Sequence, residues 1–204
     1  MIKLITALGL IIVLSHTALA DNPHVTLETE MGDIVIEVMT DKAPVSGGDF
    51  LTYVEKGLFS GEGFYRVVRA ADNDHGAPKI DVIQGGLIDD GTGLAPVAHE
   101  TTETTGIKHT DGTISLARDA VGSGSAAYFF ITIGDQPGLD FGGTRNADKQ
   151  GFAAFGQVVS GMDVVRNIHS VPADRFEQGE GYFGGQMLKE PVRIISARIG
   201  NGSE

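Results

Sequence analysis

Short runs of strand character, parted by glycine-rich connections, recur along the whole chain and leave it few architectures. They fall at residues 25–30, 34–38, 64–68, 80–84, 112–117, 128–133, 152–158 and 192–199. In each, apolar side chains alternate with polar ones or form a brief buried-type run, the pattern of strands with one face on a core. Met31-Gly32-Asp33 separates the first two runs as a turn and predicts a hairpin. Two stretches have helical spacing instead. One opens near Pro44, carries Phe50, Leu51 and Val54 on one face, and stops at Gly57, with Thr40 or Asp41 placed to cap it. The other is residues 161–168. A chain with about eight strands and two helices must remove its sheet edges, either in a closed barrel or in a sandwich. The 29 glycines fall mostly in the connections, and periodicity does not choose between the two.

The first twenty residues, MIKLITALGLIIVLSHTALA, are set apart from this pattern. Lys3, an apolar run from Leu4 to Leu14, and Ala18-Leu19-Ala20 before Asp21 match the regions of a cleavable secretory signal. The apolar run is too short to span a bilayer with ease. The expectation is a signal peptide at 1–20, one domain at 21–204, and a periplasmic or secreted location with no stable membrane association after cleavage. The net charge of −12 disfavours nucleic acid and anionic membrane as partners. With no cysteine, thiol chemistry is excluded and the core alone must hold an exported chain.

The usual signatures of bond-breaking enzymes are missing. Gly122-Ser-Gly-Ser125 has neither the nucleophile frame of a GxSxG turn nor the GK[ST] of a phosphate loop, which makes a hydrolase built on Ser123 or Ser125 remote. His24, His75, His99, His109 and His169 are scattered without metal-ligand spacing, and HETTE at 99–103 lacks a second histidine. Asp72, Asp74, Asp89 and Asp90 do not form a regular calcium loop. Asn201-Gly-Ser203 matches a glycosylation acceptor, a short motif with many chance matches. No metal and no cofactor are expected.

One strand carries an oddity. FYRVVR, at 64–69, places an arginine at its centre. In a regular strand Phe64, Arg66 and Val68 share one face and Tyr65, Val67 and Arg69 the other. A buried guanidinium is costly unless partnered. Arg66 therefore either pairs with an acid such as Glu62, or points into a groove.

Taken together, FYRVV, VIQGG (82–86), KHTDGTISLA (108–117), FFI (129–131) and FAAFGQVVSGMDVV (152–165) resemble the cyclophilin family of peptidyl-prolyl cis-trans isomerases. The likeness runs from about Val25 to Gly200. It implies a mainly β fold, a closed eight-stranded antiparallel barrel capped by two α-helices, with the active groove on the outer wall. Carried over position by position, the catalytic arginine is Arg66, the groove glutamine Gln84 and the proline-pocket phenylalanine Phe130. Val82, Ala117 and Leu139 fall on substrate-binding positions. Several positions depart from the family pattern. Tyr128 replaces a second groove glutamine, Phe152 a histidine, Arg118 an asparagine, Asp81 an aromatic, and Gly138 the frequent tryptophan or phenylalanine. The connection between Arg66 and Gln84, with AADNDHGAPK at 70–79, is longer than usual.

The activity so implied, rotation about X-Pro bonds assisting the folding of exported proteins, breaks no bond and needs no nucleophile, metal or electron carrier. Proline-containing polypeptides are the expected partners of a monomeric chain. The altered groove positions keep an alternative open, a non-catalytic binding module or chaperone for proline-containing segments.

Overall fold

The computed structural model describes residues 22–88, 93–173, 181 and 183–200. The segment read as a signal, Asp89, Asp90 and the triplet 201–203 lie outside the described residues.

Eight strands form β1 (His24–Thr29), β2 (Gly32–Val38), β3 (Gly63–Val68), β4 (Val82–Gly86), β5 (Thr113–Leu116), β6 (Tyr128–Thr132), β7 (Ala153–Ser160) and β8 (Met187–Gly200). They close into a barrel in the order β1-β2-β7-β5-β6-β4-β3-β8, with every neighbouring pair antiparallel. This settles the choice that periodicity left open. Closure pairs β8 with β1, for example Val25 opposite Ile199, so the wall has no free edge. The β1–β2 hairpin turns at the expected place, with Thr29 opposite Gly32.

Among the described residues three α-helices accompany the barrel: α1 (Pro44–Glu55), a single turn α2 (Thr102–Thr105), and α3 (Met162–His169). The strand-and-helix pattern anticipates α1 and α3; α2 is too short to leave a periodic signal. Helix α1 lies at the Val38 end of β2, where a side chain on Gly47 would meet Val38 at 3.1 Å. Helix α3 lies at the other end, where Val164 approaches Gly32 to within 3.0 Å of where a Cβ would stand. The cap of α1 differs from expectation. Ala43 is the N-cap and offers no side-chain acceptor. The carboxylate of Glu100 supplies it instead, accepting from the N–H groups of Val45 (3.2 Å) and Ser46 (2.7 Å). At the other end Gly57 takes φ 67°, as a helix stop requires.

Inside the barrel Phe50, Tyr53, Phe59, Phe64, Phe129 and Phe155 form one aromatic cluster, with ring centroids 5.1 to 5.8 Å apart. A second, smaller apolar cluster of Val68, Ile80, Val82, Phe130 and Leu139 sits apart from it, with Ala117 and Phe152 against it. These two groups are the inner and outer sides of the same wall. Alternation along β6 sends Phe129 to the first and Phe130 to the second.

Candidate active site

The position of Arg66 depends on an irregularity in β3. Phe64 pairs with Gly85 and Arg66 with the next residue of β4, Gln84, so Tyr65 is an extra residue in the ladder. This β-bulge breaks the alternation expected from a regular strand. Phe64 and Val67 both face the core, whereas Arg66 and Val68 face outward. Phe64 and Arg66 therefore do not share a face.

Across the outer wall a row follows from the register: Arg66 opposite Gln84, Gln84 opposite Phe130, and Phe130 opposite Ser115. Its first three members line a cleft of about 340 Å³, and Ser115 is buried behind it. Every position assigned to the site from the sequence lines this cleft: Arg66, Gln84 and Phe130, together with Val82, Ala117, Tyr128, Leu139 and Phe152.

The Arg66 guanidinium is held on two edges. Its Nη1 donates to Gln84 Oε1 at 2.8 Å. Its Nε and Nη2 both donate to Gln186 Oε1, at 2.9 and 2.6 Å. Phe183 stacks on it, with Cζ 4.8 Å from the ring centroid. The other end of the Gln84 amide donates to the Tyr65 hydroxyl at 3.2 Å, which leaves one orientation for that side chain. Glu62, the acid that the sequence offered as a partner, accepts from the Ile88 N–H at 2.7 Å.

Phe130 is braced from two sides. Phe152 meets it edge-on, with centroids 5.2 Å apart at 87°. His109 stacks against it at 5.9 Å and 13°. The buried imidazole is itself fixed: Nδ1–H donates to Asp140 Oδ1 at 2.9 Å, and Nε2 accepts from the Ser115 hydroxyl at 3.1 Å. Burial pushes His109 below its ordinary pKa, against the pull of Asp140, so the ring is neutral. Ser115 is fully buried and cannot meet a substrate; this Ser–His–Asp alignment is a brace. Ser123 accepts from the N–H groups of Asp119 and Ala120 as a turn residue, and Ser125 bonds the Tyr53 hydroxyl. Neither is set up as a nucleophile. Among the described residues, no three His, Asp or Glu side chains gather as a metal site. No helix among them is long and apolar enough to cross a membrane.

Two of the departures from the family pattern, Arg118 and Gly138, are tied into their surroundings. Arg118 is tied to both carboxylate oxygens of Asp148, at 2.8 and 2.9 Å, and lies over the Phe152 ring at 5.4 Å. Gly138 faces the long connection: a Cβ there would fall 2.2 Å from Pro78 Cγ. Pro78 thus fills the volume that a large side chain at 138 would need. Asp74 of the same connection is buried and takes a bidentate pair of bonds from Arg145 on the cleft rim, both at 2.8 Å. Sequence reasoning missed Gln186, Phe183 and Arg145. All three lie in irregular segments, where no period reveals a facing.

The chain is similar to known proteins over most of its length. The family described as "Cyclophilin type peptidyl-prolyl cis-trans isomerase/CLD" matches residues 24–199. A peptidyl-prolyl cis-trans isomerase of Acinetobacter baylyi is 33% identical over 196 residues, covering 94% of this chain and 92% of that protein. Peptidyl-prolyl cis-trans isomerase B of Escherichia coli is 34% identical over 155 residues, covering 74% and 87%. A crystal structure of a Cryptosporidium parvum cyclophilin-type isomerase superposes with a TM-score of 0.65 at 19% identity, over 89% of this chain and 99% of that one. A second crystal structure of that protein, in the presence of the dipeptide Ala-Pro, gives 0.63 at 19% identity, over 87% and 98%. With its closed barrel and the match over nearly its whole described length, this chain belongs to the cyclophilin-type peptidyl-prolyl cis-trans isomerases.

Proposed function

We propose that the outer cleft is where this isomerase turns X-Pro bonds, with Arg66 as the catalytic group and Phe130 as the seat of the proline ring. The observation that carries the reading is the row Arg66–Gln84–Phe130 on one rigid wall, which sets a cation beside an apolar floor. The Cryptosporidium parvum relative studied in the presence of Ala-Pro supports an X-Pro ligand.

Amide resonance opposes rotation with a barrier of about 18–20 kcal/mol. In the twisted state the prolyl nitrogen recovers a localised lone pair. A guanidinium N–H donates to that lone pair far better than to the planar amide, so the bond favours the transition state. The pyrrolidine ring is held on Phe130 between Val82, Leu139 and Phe152, while the acyl side turns past Ala117 and Tyr128. Gln84 gives its oxygen to Arg66 and thereby aims the guanidinium.

We further propose that residues 1–20 direct export, and that the enzyme assists the folding of exported polypeptides outside the cytoplasm. The leader pattern and the absence of cysteine support this. Exchange spectroscopy by nuclear magnetic resonance on an unstructured X-Pro peptide tests the activity: added wild-type protein should accelerate cis–trans exchange. No rate above background on several such peptides would transfer the cleft to the binding-module reading. N-terminal sequencing of the protein recovered outside the cytoplasm should begin at Asp21.

A further inference from the structure

The long connection after β3 is joined to Arg66 through a chain of hydrogen bonds that the proposed chemistry does not by itself require. Asn73 is buried at the start of this connection. Its Oδ1 accepts from Arg69 N–H at 2.6 Å, and its Nδ2 donates to Gly185 O at 2.7 Å and Val67 O at 3.3 Å. The side chain thus clamps the end of β3 to the turn before β8. Its backbone carbonyl accepts from Gln186 Nε2 at 2.7 Å. Gln186 is 2% exposed, and its own carbonyl takes the Val67 N–H at 2.9 Å. The amide of Gln186 therefore has one satisfactory orientation. Turned over, it would set NH2 against a guanidinium and oxygen against a carbonyl.

We propose that Gln186, held by Asn73, is a positioning residue for catalysis: it fixes the plane of the Arg66 guanidinium. The argument is geometric. Gln84 holds the fork at Nη1 only, and one bond leaves the plane free to swing about it. Gln186 Oε1 bridges Nε and Nη2 on another edge, so the two amides together define the plane. The acceptor is neutral, so this contact fixes direction without offsetting the charge that the twisted amide needs. The connection at 70–79 thereby acquires a role, as the buttress that keeps Gln186 oriented. The proposal rests on Arg66 being the catalytic group.

The test compares three full-length proteins, wild type, Gln186→Leu and Gln186→Glu, with Arg66→Ala as a fourth for assignment. Glutamate keeps an acceptor facing Arg66 but loses the donor to Asn73 O, whereas leucine loses both. Exchange spectroscopy on an X-Pro peptide separates on-enzyme rotation from affinity. Gln186→Leu should slow rotation about tenfold with affinity within about twofold, since misaimed groups lose rate rather than binding. Gln186→Glu, which keeps the acceptor but adds a charge that Arg66 must share, should lose less rate than Gln186→Leu. Equal losses in the two variants would assign Gln186 to holding the turn alone, and an unchanged rate in Gln186→Leu would also overturn the proposal. A wild type with no activity would instead remove the catalytic reading. The relay is then judged by the Arg66 Nε–H resonance, identified by its absence in Arg66→Ala. Slow solvent exchange of that proton in wild type, fast in Gln186→Leu and slow again in Gln186→Glu, supports the relay; the same exchange rate in all three refutes it.

Discussion

At the scale of the residue, the proposed function puts activity on Arg66, which lines the cleft. Arg66→Ala should lower kcat/KM on an X-Pro peptide by about a hundredfold, the usual loss when one charge-stabilising donor is removed. The circular dichroism spectrum should stay as in wild type, because the side chain lines a cleft and is not in the core. Phe130→Ala acts differently. It removes the floor and the buried ring of an outer apolar cluster, so peptide affinity should fall and stability drop by about 3 kcal/mol; unchanged affinity in a titration would mean the proline sits elsewhere. That both belong to one cleft was legible in the sequence, since strand blocks carried them in recognisable order. The facing of Arg66 relative to Phe64 was not. A bulge adds a residue without changing composition, and Tyr65 looks like any other strand residue. Gln186 was hidden for another reason: its partner Arg66 is 120 residues away and its neighbours have no period.

At the scale of the element, the connection at 70–79 and the turn at 137–139 form one wall. Pro78 occupies the space beside Gly138, and Arg145 is pinned to Asp74. Gly138→Trp should therefore destabilise the protein by about 1–3 kcal/mol through overpacking. Pro78→Gly in the same chain should return part of that loss, a coupling that urea unfolding of the two single variants and the double variant would measure. The sequence marked this connection as long but could not say whether it was a lip or an excursion. Its contacts join segments far apart in the chain, and no local pattern encodes them. The same holds for the cap of α1. Glu100 lies 55 residues from Val45, far from the local cap positions Thr40 and Asp41. Glu100→Ala should lower stability by about 1 kcal/mol, read from the thermal midpoint.

At the scale of the whole molecule, pH acts through two kinds of group, both held below their ordinary pKa in the fold. His109 is kept neutral by burial, below its value in the unfolded chain. Between the two values the unfolded chain binds more protons, so stability rises with pH and should fall as pH drops below about 6.5. Urea midpoints at pH 7.5, 6.5 and 5.5 should show this slope, and His109→Gln should flatten it. The carboxylates act at lower pH. The hydrogen bonds from Arg118 hold Asp148 down at about 2. Burial would raise Asp74, but bonds from Arg145 and the N–H groups of Gly76 and Ile80 outweigh it and leave it lowered. Their stabilisation is complete above the unfolded value of about 3.9 and disappears as pH falls through the folded values. The thermal midpoint should accordingly drop between pH 4.5 and 2. A sealed cylinder also governs how a client is held. Every strand of the wall already has both neighbours, so an extended polypeptide cannot be adopted as one more rung of the sheet. Its grip on this protein rests on one ring in a niche and a few directed donors. On the proposed function, such a hold leaves the rest of the client chain free to find its shape.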